Sequence, residues 1–223
     1  MQSAPDRPIA CYVTDGRDFL ASDRDQLLLT HIRVALDAGA DWVQIREKNI
    51  AVKRLLALTR DAVRLADEIA PAARILVNDR LDVAIAAKAS AVHLGGESIS
   101  VDDVIRWRRA GNAAAKFFIG VSCHSLEEVR RAESAGVDYV FFGPIFDTPS
   151  KRSFGTPQGL ALLGEICRAV RIPVVAIGGI TGESAADCVR AGAKGIAAIR
   201  LFQDATDIGA VRDVISQLHG LRD

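Results

Sequence analysis

The chain has 223 residues, a 49% hydrophobic share, and 28 basic against 28 acidic side chains, for a formal net charge of zero. That balance excludes the basic stripe of a nucleic-acid binder and the acidic tail of a disordered chain. No apolar run approaches the roughly 18 residues of a membrane span, and the short polar stretch from Met1 to Pro8 does not read as a signal peptide.

The first predicted strand is Ile9–Thr14. An amphipathic helix follows over Asp23–Ala38, with Leu27, Leu28, His31, Ile32 and Ala35 on its inner stripe. The second strand, Trp42–Arg46, precedes a helix over Ala51–Ile69 that turns Leu55, Leu58, Ala62, Val63 and Leu65 inward. Strands follow at Arg74–Asn78, Ala91–Leu94, Phe117–Ser122, Tyr139–Phe142, Pro173–Ile177 and Gly195–Ile199. All are short and nearly all apolar, the pattern of parallel strands covered on both faces. The helix Ser125–Ala135 opens with Ser125 as N-cap and Glu128 three residues on, a capping box. Gly39, Gly111, Gly136 and Gly192 sit where helix ends need a left-handed residue.

The chain also repeats a unit: a small-residue turn, then a short apolar strand. It shows at Ala38–Asp41, Ala135–Asp138 and Ala191–Lys194, and more loosely at Ala87–Ser90. The eight strand-helix units of the chain predict an α/β fold, a closed (β/α)8 TIM barrel in a single domain, with residues 1–8 as a tail and 9–223 as the barrel. An open doubly wound sheet is the alternative. It is disfavoured because no GxGxxG or GxxxxGK[ST] follows the first strand, and because polar clusters follow almost every strand. The longest irregular segment, Asp147 to Thr156, is expected to cover an active site. The four cysteines (Cys11, Cys123, Cys167, Cys188) form no CxxC, so four buried reduced thiols and a cytoplasmic home are expected.

In a barrel the chemistry lies at the carboxyl ends of the strands. Gln44, Arg46 and Lys48 alternate along the extended segment at the end of the second strand. They gather two cations and an amide on one side, as an anionic phosphate ligand requires. Lys151 on the long loop could add a third cation. The plain alternative pairs Arg46 and Lys48 with Glu47 and Asp79. Gly178 and Gly179 end the seventh strand before a helix, where free N–H groups suit a phosphate, and Arg200 at the end of the eighth could join them. A bare turn would need the same glycines. His124 precedes the N-cap Ser125, where a helix N-terminus disfavours positive charge and leaves an imidazole ready to act as a base. His93 ends the fourth strand on the same face. Either histidine could instead be a buried, hydrogen-bonded one. His31 and His219 lie on helices and are given no role.

Val43-Gln44-Ile45-Arg46-Glu47-Lys48, Val77-Asn78-Asp79-Arg80, Val92-His93-Leu94-Gly95, Gly120-Val121-Ser122-Cys123-His124-Ser125, the run from Phe142 to Lys151, and Ala176-Ile177-Gly178-Gly179-Ile180 together resemble the thiamine phosphate synthase/TenI superfamily. The likeness runs from about Cys11 to about Phe202. It implies one of two activities. The synthase joins hydroxymethylpyrimidine diphosphate to a thiazole phosphate: pyrophosphate, held by Mg2+, leaves first, and the thiazole nitrogen attacks the pyrimidine cation. The TenI branch moves a proton on a carboxythiazole phosphate with a histidine and needs no metal.

By motif match, the resemblance implies that Gln44, Arg46, Lys48, Asn78 and Lys151 hold the diphosphate ligand, with Thr148 and Ser150 as loop hydroxyls. Asp79 would be one Mg2+ ligand, Gly178 and Gly179 the thiazole phosphate site, and His124 the proton-transfer residue. His93 and Arg200 complete the candidate binding set. Two departures stand out. The synthase pattern Gln-x-Asp is here Gly96-Glu97-Ser98, so the second acidic ligand is missing and Glu97 is expected to face away. Arg200 stands where a serine is usual. The expectation is therefore a TenI-like thiazole tautomerase without a cofactor. The Mg2+-dependent synthase is the alternative, and a silent thiazole or thiamine phosphate binder a third reading. The partner in each case is a small phosphorylated heterocycle, and a homo-oligomer stays open.

Overall fold

The computed structural model describes residues 7–17, 19–20, 22–112, 117–147, 156–205 and 208–221. Its strands are β1 Ile9–Val13, β2 Trp42–Ile45, β3 Arg74–Asn78, β4 Ala91–Leu94, β5 Phe118–Cys123, β6 Tyr139–Phe142, β7 Val174–Ile177 and β8 Gly195–Ala198. The helices are α1 Arg24–Asp37, α2 Val52–Ile69, α3 Leu81–Ala86, α4 Val101–Trp107, α5 Leu126–Ala135, α6 Gly159–Ala169, α7 Gly182–Arg190, α8 Arg200–Gln203 and α9 Ile208–Gly220. Each strand pairs in parallel with the next, and β1 pairs with β8, so the sheet closes. The fold is the expected (β/α)8 barrel.

Strand alternation sorts the apolar residues into two layers. Ile9, Cys11, Val13, Trp42, Leu76, Tyr139, Phe141, Val175 and Ala197 fill the interior. Their neighbours along the chain, such as Ala10, Tyr12, Val43, Ile75, Val140 and Ile196, face the helices. The interior is aromatic on one side: Tyr139 lies 4.8 Å from Trp42 and 5.5 Å from Phe141, ring to ring. Gly120 makes room for it, since a Cβ there would sit 2.0 Å from the Tyr139 ring.

The inner stripe of α1 differs from expectation in one place. Leu28, Ile32, Ala35 and Leu36 are buried, whereas Leu27 is exposed, because the core-facing stripe runs one position further along. His31 stacks on Phe19 at 5.5 Å. In α2, Leu55, Leu58 and Ala62 are buried with Thr59, while Val63 and Leu65 flank the core. Ser125 accepts from the Glu128 amide as expected, but the Glu128 carboxylate bonds the His124 amide at 2.5 Å rather than that of Ser125. Gly39, Gly111, Gly136 and Gly192 all take positive φ. Of the thiols, Cys11, Cys123 and Cys188 are buried and Cys167 is half-buried.

At the amino end of the barrel, Arg7 donates to Asp41 and to His219 Nδ1, and His219 Nε2 meets Asp41 at 2.9 Å. This cluster ties the start of the chain to α9. Among the described residues no helix is long and apolar enough to cross a membrane.

Candidate active site

Four inward-facing polar residues cap the apolar interior, one from each of β2 to β5. The strand registers place Asn78 beside His93, and His93 beside Gly120. Gln44 is buried and donates its amide to Asn78 Oδ1 at 3.2 Å. Next to them, His93 has both ring nitrogens in hydrogen bonds, Nδ1 with the Tyr139 hydroxyl at 3.2 Å and Nε2 with the Ser122 hydroxyl at 2.9 Å. Gln44 and His93 thus form a floor beneath the rim.

Above this floor lies a cavity of about 420 Å³ bordered by Arg46, Lys48, Asn78, Asp79, Glu97 and His124, among others. Arg46 is half-buried and Lys48 exposed. Among the described residues neither is in an ion pair. Glu47 is instead engaged by Thr14 at 2.7 Å and by the Gly16 amide. Asp79 is engaged by Asn78 at 2.5 Å and by the Ser98 hydroxyl. The alternative in which the rim acids neutralise these cations therefore does not hold in the fold.

Asp79 takes φ 62, a left-handed conformation that a short polar side chain tolerates, and its amide donates to the His93 carbonyl. Gly95 to Ser98 forms a turn, with the Ser98 amide bonded to the Gly95 carbonyl at 3.2 Å. The turn brings Glu97 onto the cavity wall. The backbone here turns, where an extended chain was expected. Oxygens of Asp79, Glu97 and Ser98 are hard donors, and Mg2+ takes one or two carboxylates with waters and phosphate oxygens. The set fits such an ion when a phosphate ligand supplies the remaining oxygens. Among the described residues no three His, Cys, Asp or Glu side chains cluster as a closed cage.

His124 donates from Nδ1 to the Gly143 carbonyl at 2.5 Å. A carbonyl only accepts, so a proton sits on Nδ1. The neighbouring Cys123 also borders the cavity. Burial pushes its thiol up to about 12, which keeps it protonated and poorly nucleophilic.

Gly143 and Pro144 pack against the turn after β7. A Cβ on Gly178 would come within 2.7 Å of the Pro144 Cα, and one on Gly179 within 2.5 Å of the Asp147 carbonyl. Both glycines have positive φ, 99° and 68°. Thr181 then caps α7 in a reciprocal pair with Ser184. Arg200 opens α8 and is exposed. These three residues stand on the β7–β8 side of the rim, outside the cavity lining. Thr148, Ser150 and Lys151 lie outside the described residues. Sequence reasoning gave no site role to Ser122, Cys123 and Glu128, which border the cavity. A polar residue next to a strand end was the available signal for Ser122.

The profile of thiamine monophosphate synthase matches residues 10–202. The chain belongs to that family. It is 40% identical over 201 residues to the thiamine-phosphate synthase of Roseiflexus castenholzii, covering 90% of this chain and 83% of that one. Against the thiamine-phosphate synthase of Chlorobium phaeobacteroides the identity is 36% over 217 residues, 97% and 98% of the two chains. Among solved structures, thiamine phosphate pyrophosphorylase from Pyrococcus furiosus superposes with a TM-score of 0.78 at 32% identity, covering 96% of this chain and 98% of that one. As a member of the thiamine monophosphate synthase family, the chain has its rim residues Arg46, Lys48, Asn78, Asp79 and His124 within the matched span, at the ends of β2, β3 and β5.

Proposed function

We propose that this chain is a thiamine phosphate synthase, a transferase that joins hydroxymethylpyrimidine diphosphate to a thiazole phosphate. The observation that carries the reading is one cavity in which Arg46 and Lys48 stand with Asp79 and Glu97. Two cations beside a hard-oxygen site suit a diphosphate leaving group and its counter-ion. The relatives' names support the same reading, and they support it better than the tautomerase that the loss of an acid at Ser98 had favoured.

In this reading Arg46 and Lys48 bind and orient the diphosphate. Asn78, held by Gln44, keeps the Asp79 carboxylate aimed into the cavity. Mg2+, held by Asp79 with Glu97 and Ser98 beside it, would supply neutralisation of the charge that develops on the departing pyrophosphate. The bond from the pyrimidine group to the diphosphate oxygen breaks, its electron pair leaves with pyrophosphate, and the thiazole nitrogen lone pair forms the new bond. The second ligand's phosphate would lie at the Gly178–Gly179 turn and the α7 N-terminus, with Arg200 nearby.

One observation favours a second reading. The bond from His124 to Gly143 orients the ring, as a proton-transfer histidine on a thiazole tautomer needs. The deciding assay gives purified protein both substrates with Mg2+, then both with EDTA, then the thiazole tautomer alone with EDTA. Thiamine phosphate only in the first tube is expected. Turnover confined to the third tube overturns the transferase.

A further inference from the structure

We infer that Thr14 and Glu47 are positioning residues that set where Arg46 stands at the anion site. The inference rests on the transferase reading, in which Arg46 holds the diphosphate. Neither residue borders the cavity, yet Thr14 bonds the chain on either side of Arg46 and Glu47 bonds Thr14. Thr14 is fully buried. Its amide donates to the Gln44 carbonyl at 3.0 Å, and its hydroxyl oxygen accepts the Arg46 amide at 2.9 Å. The same hydroxyl donates to Glu47 Oε1 at 2.7 Å.

One residue at the β1 end therefore binds residues 44, 46 and 47 in turn, the first through its amide and the other two through its hydroxyl. Parallel pairing stops at Val13 and Gln44, and the Thr14 hydroxyl replaces the next rung of the ladder. Without it the Arg46 amide loses its acceptor at the mouth of the barrel, where the chain is already leaving the sheet. Glu47 completes the brace by accepting the Thr14 hydroxyl at 2.7 Å and the Gly16 amide on both oxygens, at 3.1 and 3.2 Å. The fit is close: a Cβ on Gly16 would lie 2.7 Å from Glu47 Oε2 and 2.9 Å from Arg24 Cγ. The residue between Thr14 and Gly16 is anchored as well. Asp15 and Gln203 exchange two hydrogen bonds at 2.9 Å each, which docks the loop on α8. A residue whose chain direction is fixed on both sides can hold its guanidinium ready for the ligand before the ligand arrives.

The test measures the affinity of the full chain for inorganic pyrophosphate with Mg2+, together with thermal stability. Thr14→Val keeps the shape and removes the hydroxyl. It is expected to weaken pyrophosphate about tenfold, the scale of one lost hydrogen bond that orients a charged group. Thr14→Ser is expected to restore affinity to within about twofold, because the hydroxyl returns. Gly16→Ala, which displaces the Glu47 carboxylate without removing it, should weaken binding in the same direction. If Thr14→Val does not fold, Glu47→Met, which keeps the length of the side chain and removes both acceptor oxygens, is read the same way. Wild-type affinity in Thr14→Val, whether or not its melting point falls, overturns the inference while Arg46→Ala still tests the reading beneath it. Wild-type protein that binds no pyrophosphate and makes no product overturns the reading and the inference together.

Discussion

Ser98 donates its hydroxyl to Asp79 and accepts the Gly95 amide at 2.7 Å, so the residue in place of an acidic ligand is bonded to the acid that remains. A hydroxyl there leaves Asp79 with a donor on each of its oxygens, Ser98 on one and Asn78 on the other. A metal ion would compete with those hydrogen bonds. Ser98→Asp should therefore lower stability in EDTA, where two carboxylates repel, and raise Mg2+ affinity on the order of tenfold. Thermal melts across a Mg2+ titration check both. A variant that melts identically with and without Mg2+ means that no ion is held at this position.

Arg46→Ala should raise KM for the diphosphate substrate by about ten- to a hundredfold, the scale of a charge-assisted hydrogen bond removed from a ligand. Steady-state kinetics with the thiazole phosphate saturating give the number. An unchanged KM would remove Arg46 from the diphosphate site.

His124 separates the two activities. With the transferase, His124→Gln should retain turnover to within about tenfold, because no proton transfer on the heterocycle is assigned to it. With a tautomerase the same variant should lose about 10²–10⁴-fold, the usual share of a general base. Parallel assays of one preparation decide which loss occurs.

Gly179 has φ 68, and an added Cβ would meet the Asp147 carbonyl at 2.5 Å. Gly179→Ala is expected to cost about 1–3 kcal/mol and to lower Tm by roughly 2–4 °C per kcal/mol in a chain of this size. Differential scanning calorimetry measures it. A neutral substitution would mean that the turn relaxes without strain and that close packing is not what requires glycine there.

Burial, above all, lifts the Glu47 carboxyl above its ordinary value, while the bonds from Thr14 and Gly16 pull it partly back. The folded chain thus holds this proton to a higher pH than the unfolded one, whose glutamate titrates near about 4.3. Its contribution to stability is fully present below about 4.3 and is lost as pH rises through the native value. Glu47→Gln removes the titration. The Tm of the variant minus that of wild type should become more positive between pH about 4 and pH about 7. A constant difference across that range would show that burial of the charge carries no penalty.

The eight strands were legible because a two-sided apolar run of four to six residues has few other uses, and their bounds fall within one residue of expectation. The rim set was legible for a related reason: closure of the barrel carries every strand end to one face, so Arg46, Asp79 and His124 had to be near one another in order, if not in distance. What the local pattern could not give was the direction of side chains where regular structure stops. Glu97 was expected on an extended chain and borders the cavity on a turn, Gly95 to Ser98. His93 and Gln44 shared the alternation of their strands with the rim residues, yet lie one layer below. Thr14 and Glu47 carried no catalytic signature at all. Their bonds join residues some 30 positions apart, and a hydrogen bond between strand ends depends on register and closure, which only the assembled barrel fixes.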